Sequence, residues 1–135
     1  MFGAVDVGEV RERLATMREL VGRLEPDLVP LPEAPAMWQA FDAIERLASS
    51  AKTLLATRVD ESGVWQRAGD RSAPEYLARK SGTSLGAARS SLETSKRIRN
   101  LPHTRSAMRR GELSRSQADE IAARPPPSPT PSTRY

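Results

Sequence analysis

The 135 residues contain no cysteine, which excludes disulfides and thiolate metal sites. Histidine occurs once, as His103. Asp119 and Glu120 are neighbours, so on a helix they point to different faces, and nothing pairs with them at metal-ligand spacing. No metal, no cofactor and no catalytic residue is expected. Aromatic residues are scarce: two Trp, two Tyr and two Phe, too few for a platform that stacks single-stranded bases. No apolar run approaches the roughly 20 residues that span a bilayer. The opening "MFGAVDVGEVRERL" has no basic region followed by an apolar run, as a secretory signal would. The chain reads as soluble and cytoplasmic, with no membrane partner. Strand signals are missing too. Seven Val and three Ile are scattered rather than clustered, and no segment alternates apolar with polar.

What is present is charge, unevenly spread. Residues 1–70 hold 8 basic and 12 acidic side chains, a net of −4, whereas residues 71–124 hold 12 basic and 5 acidic, a net of +7. A basic half beside an acidic half points to a polyanionic partner for one end, or to a solvated arginine-rich surface.

Apolar residues at three- and four-residue spacing run through the chain, and the fold class is all-α. One helical domain is expected over 1–124. At this length a folded chain buries roughly two-thirds of the surface it exposes when unfolded. Asp6 can cap a first helix over about 6–25, with a stripe of Val10, Leu14, Met17, Val21 and Leu24. Pro26 ends it, and "PDLVPLPEAP" is a connector, because each proline removes a donor and restricts its predecessor. A second helix over about 36–59 carries a stripe of Trp38, Phe41, Ile44/Glu45, Ala48, Ala51, Leu55 and Arg58, with Leu47 and Leu54 alongside. The two resemble an antiparallel helical hairpin. "DESGVWQRAGDR" reads as a loop in which Trp65 packs. The basic region 72–123 then gives three short helices and a helix-turn-helix-like unit. Ser72 and Glu75 form a capping box, as do Ser114 and Gln117. From Pro125 to Tyr135 five residues of eleven are proline, a tail that is expected to be disordered.

Gly82-Thr83-Ser84-Leu85-Gly86 fits the G-x-S-x-G pattern of serine hydrolases. That elbow needs a strand entering the turn, and here a helix enters it. The only base available, His103, lies about 25–30 Å away along a straight helix at 1.5 Å per residue. Ser84 reads instead as a helix cap, and Gly82 as the residue that permits a tight turn.

The same residues meet the requirements of a helix-turn-helix. Ala78 is small where two helices cross, Gly82 turns the chain, and Leu85, Ala88 and Leu92 anchor the second helix. The adjoining arc holds Gly86, Arg89, Ser90, Glu93, Lys96 and Arg97, of which the basic members can meet phosphate or base edges. Arg105 and Arg109 join them as candidate nucleic-acid contacts. An ordinary helical hairpin with a wet face accounts for the same pattern.

The stretch "SAPEYLARKSGTSLGAARSSLETSKRIRNLPHTRSAMRRGELSRSQADEIA", Ser72 to Ala122, resembles the helical domain of unknown function in the actinobacterial 13E12 repeat family. The landmarks are Ala78-Arg79, Gly82-Thr83-Ser84, Ala87-Ala88-Arg89, Leu92, Leu101-Pro102, Arg105 to Gly111, Glu112-Leu113-Ser114 and Gln117-Ala118. The resemblance implies an α-helical domain of the kind that precedes an HNH endonuclease domain. It implies no activity for the helical domain itself. With its divergent tail and one histidine, the chain reads as a truncated member without the nuclease. The resulting expectation is a non-catalytic domain that binds or positions DNA. A protein–protein interaction module with another chain, or a remnant without independent function, are the alternatives.

Overall fold

The computed structural model describes residues 3–125. The expected tail from Pro126 onward lies outside them. The all-α class holds: the described residues form helices joined by turns. None of these helices is long and apolar enough to cross a membrane. Two compact units divide the chain, residues 1–38 and 39–135, where the sequence reading treats 1–124 as one domain.

The first unit contains α1, Val7–Gly22, two 3-10 turns at Pro26–Leu28 and Leu31–Glu33, and the start of α2. Asp6 caps α1 by accepting the Glu9 N–H at 2.9 Å. No side chain of α1 is buried; Val10, Leu14 and Val21 stay exposed. The turns fall where the connector prolines set the backbone.

The second unit holds the rest of α2, which runs Ala34–Glu61, then α3 Val64–Arg67, α4 Ala73–Ser81, α5 Leu85–Ile98, α6 Pro102–Arg109 and α7 Arg115–Ala123. Four helices follow residue 72, not three, and α3 forms within the expected loop. Trp65 on α3 does pack, against Ala56, Ala73 and Leu92, and its indole N–H donates to Asp60 Oδ1 at 3.2 Å.

The caps follow local rules. Ser72 accepts from the Glu75 N–H, Ser84 from Ala87 and Ser114 from Gln117. The Ser114 box is reciprocal, with Gln117 Oε1 accepting from the Ser114 N–H. Glu75 reaches one residue further and accepts from the Arg71 N–H instead.

α5 is the hub. It packs against α4, α6 and α7 and buries Ala88, Leu92, Thr94, Ser95 and Ile98. One apolar cluster joins Ile98, Met108, Ala118 and Ala122, with Leu54, Leu101 and Leu113 against it. The other joins Ala56, Ala73 and Leu92, with Trp65 and Leu77. α5 and α7 run in parallel, since three contacts keep step along them: Arg115 Nη2 to Ala87 O at 2.7 Å, Thr94 Oγ1 to Asp119 Oδ1 at 2.7 Å, and Arg97 Nη1 to Ala122 O at 3.3 Å.

The buried face of α2 corrects the sequence expectation. It is made of Ser50, Thr53, Ala56 and Thr57, whereas Trp38, Ile44 and Leu55 of the expected stripe are exposed; Phe41 is half-buried, and Leu54 beside the stripe packs against the core. The reason is close helix approach. Small residues let α5 come near enough for the Thr57 N–H to donate to Ser95 Oγ at 3.1 Å and for the two hydroxyls to meet at 2.6 Å. Larger aliphatic side chains on that face would hold the helices apart.

Among the described residues four glycines take the left-handed conformation that L side chains disfavour, Gly82 and Gly111 among them. Gly82, φ 68°, ends α4, and a Cβ there would meet nothing within 4 Å. Gly111, φ 71°, is different: a Cβ would sit 2.9 Å from Leu47 Cδ2 and 3.0 Å from its Cγ. Gly82→Ala should therefore cost only the conformational penalty of about 1–2 kcal/mol. Gly111→Ala should add overpacking, typically about 1–3 kcal/mol. Urea unfolding should show that excess, and it should shrink in a Leu47→Ala background. Equal costs at both glycines in both backgrounds would contradict the Leu47 contact.

Candidate nucleic-acid interface

Gly82, Thr83 and Ser84 form the three-residue turn between α4 and α5. Gly82 is the left-handed C-cap, and the Thr83 N–H returns to Ala78 O at 3.1 Å. Ser84 Oγ accepts the Ala87 N–H at 3.0 Å, so it serves as a cap. Leu92 is buried, Leu85 and Ala78 half-buried.

The arc expected to face solvent does so: Gly86, Arg89, Ser90, Glu93, Lys96 and Arg97 are all exposed. At about 100° per residue these six cover one side of α5, opposite the buried Ser95 and Ile98. Their roles diverge. Arg89 and Lys96 line a shallow cleft with Trp65, Pro74 and Glu93, and neither makes an ion pair among the described residues. Arg97 is committed elsewhere. Its guanidinium donates to Ala122 O, one of the orphan carbonyls at the end of α7, and lies 3.9 Å from Glu93.

Arg105 and Arg109 do not join that arc. They are one turn apart on α6 and border a different cleft with Arg58, Arg99, Thr57 and Ser95. The sequence-predicted basic residues are therefore split between two clefts on either side of α5. Arg58, expected only as the end of the α2 stripe, and Arg99, which the sequence does not single out, belong to the second. Only tertiary contact reveals them, because α2 and α5 are far apart in the chain. Both pair with Glu61. The Arg99 hydrogen bond holds the Glu61 carboxyl below the ordinary range; burial opposes it, and the Arg99 charge, the Arg58 hydrogen bond and the Arg58 charge add to it.

Elsewhere, charge is used locally. Arg79 forks onto Asp70, with Nε to Oδ1 at 3.2 Å and Nη2 to Oδ2 at 2.7 Å. That hydrogen bond lowers the Asp70 carboxyl and raises the Arg79 guanidinium. Arg79 and Lys80 also stand 5.6 and 5.8 Å from the Tyr76 ring centre, within cation–π range. His103 is exposed on α6, and among the described residues no three His, Cys, Asp or Glu side chains gather as metal ligands would.

A family model described as Domain of unknown function (DUF222) matches residues 36–131. No curated protein and no solved structure matches the chain.

Proposed function

The chain belongs to the DUF222 family of domains of unknown function, and from that premise we propose that it binds duplex nucleic acid through the phosphate backbone, without catalysing a reaction. The supporting observation is the solvent arc of α5, where Arg89 and Lys96 stand exposed and make no ion pair among the described residues, after the Gly82–Ser84 turn. Backbone contact needs such unpaired cations, because each phosphate neutralised releases counterions. In keeping with the 13E12 resemblance, the domain would position DNA for an HNH-type nuclease domain. An electrophoretic mobility titration on mixed-sequence duplex at several salt concentrations tests this. Retardation that weakens linearly on a log–log salt plot is the expected result; no retardation at low salt overturns it.

The non-catalytic part of the reading has its own test. The purified chain should leave supercoiled plasmid intact in Mg²⁺, Mn²⁺ or Zn²⁺. Metal-dependent nicking that co-purifies with the protein and survives His103→Ala would end it.

One observation favours the interaction-module alternative: α1 buries none of its side chains, and Val10, Leu14 and Val21 form an exposed stripe at helical spacing. Under that reading a partner chain covers the stripe. Light scattering on the wild type and on Leu14→Glu separates the two, since only a stripe-mediated assembly changes mass.

A further inference from the structure

The second cleft has chemistry that the α5 arc lacks. It lies between α2, α5 and α6, has a volume of about 260 Å³, and is bordered by Arg58, Arg99, Arg105 and Arg109 with Thr57 and Ser95. The volume is several times the roughly 30 Å³ one water occupies in the liquid. Leu54 and Ile98 line it as well; of its four arginines, Arg58 and Arg99 share the carboxylate of Glu61. The Arg109 guanidinium donates to Ser106 Oγ, and the Arg105 side chain makes no hydrogen bond among the described residues, its backbone N–H going to Leu101 O.

A proton count at Thr57 and Ser95 supplies a second, independent observation. Both side chains are more than nine-tenths buried. Ser95 Oγ accepts the Thr57 N–H, and the two hydroxyl oxygens are 2.6 Å apart. Each oxygen is thus partnered. The pair nevertheless owns two hydroxyl protons, and only one can lie between the oxygens. Neither hydroxyl makes any other hydrogen bond among the described residues. Whichever way the mutual bond points, one O–H is left over as a donor with no acceptor, at residues that line the cleft. Buried donors in folded proteins find acceptors, so a water or a ligand oxygen in the cleft takes this proton.

We propose that this cleft is a phosphate-binding site. A phosphate group offers several acceptor oxygens in tetrahedral array. Arg105 and Arg109, both exposed at the cleft, each carry the planar fork of donors with which guanidinium recognises phosphate. Arg58 and Arg99 supply further positive charge, tempered by Glu61. The spare hydroxyl proton of the Thr57–Ser95 pair goes to a remaining oxygen. A carboxylate satisfies fewer of these donors, and a cation is repelled. The phosphate can belong to a nucleic-acid strand or be a free phosphate. The strand form rests on the nucleic-acid reading above; the site itself does not.

The test is a titration of the full ¹⁵N-labelled chain with inorganic phosphate at constant ionic strength, with chloride as the balancing anion. Arginine Nε–Hε signals and the Thr57 and Ser95 amides report occupancy. Saturable shifts at Arg99, Arg105, Arg109 and Thr57, with Arg89 unmoved, are expected. Arg105→Gln with Arg109→Gln should abolish saturation while leaving the melting temperature unchanged, because both side chains are exposed. Glu61→Gln should tighten binding, since it frees two guanidinium groups. Ser95→Ala should weaken it; if that variant is unfolded, the arginine pair still decides. Linear shifts of equal size at Arg89 and Arg105, or saturation that persists in the double variant, would overturn the site. A short duplex that shifts the same signals identifies the strand as the source. A duplex that leaves them still while phosphate saturates them identifies free phosphate. In that case the site stands even if the mobility titration fails.

Discussion

Ile98→Ala should remove about 2–5 kcal/mol of stability, the range for truncating a large buried aliphatic side chain. Ile98 is 1% exposed. It stands where α5 meets α6 and α7, packed with Met108, Ala118 and Ala122 and flanked by Leu54 of α2. Its loss leaves a cavity walled by four helices, none of which can close the gap without parting from another contact. The reserve is small, because five of the eight buried apolar residues among the described ones are alanines, which bury little surface. A typical domain has only about 5–15 kcal/mol in total. Leu92→Ala should act in the same range through the other cluster, where Leu92 meets Ala56, Ala73 and Trp65. The informative control is Leu55→Ala. Leu55 belongs to the apolar stripe of α2 but is 57% exposed, so its truncation should stay within about 0.5 kcal/mol. Denaturant midpoints for the three variants measure this. If Leu55→Ala costs as much as Ile98→Ala, the outer face of α2 is covered in solution and the core assignment is wrong.

That control marks the border of what the sequence reveals. Features that depend on neighbours a few residues away were legible. The caps at Asp6, Ser72, Ser84 and Ser114 need only a side-chain oxygen three residues before a free N–H. Gly82 needs only a left-handed turn, and the solvent arc of α5 follows from helical periodicity. The buried face of α2 was not legible, because apolarity points to Ile44 and Leu55 while the contact is made by Ser50, Thr53 and Thr57. Hydroxyls look like surface until the Ser95 partner, 38 residues away, is in place. The same limit explains Arg97. Its position on the arc is local, but its bond to the end of α7 is not. It also explains why Arg105 and Arg109 were grouped with Arg89. All are basic, yet only the fold shows that α5 stands between them and that Arg58 and Arg99 complete their cleft.

This division makes the charge series discriminating. In duplex titrations, Arg89→Ala and Lys96→Ala should each flatten the log–log salt slope by about 1, the expectation for one lost phosphate contact on B-form DNA. Both side chains are exposed and unpaired, so neither change should move the melting temperature. The double variant should lose about 2 in slope, because counterion release counts contacts. Arg97→Ala should behave differently. Its guanidinium is spent on Ala122 O and approaches Glu93; losing it should lower stability slightly and leave the slope closer to wild type. Arg13→Ala, on α1 in the acidic half, should change neither. Equal weakening by Arg13, Arg89 and Lys96 would mean diffuse attraction rather than a docked helix. A larger slope change from Arg97 than from Arg89 would mean that α7 releases Arg97 on binding, so the ends of α5 and α7 would have to separate. If the wild type fails to retard duplex even at low salt, Arg89 and Lys96 are solvated or protein-facing. The exposed stripe of α1 then becomes the surface that defines this domain.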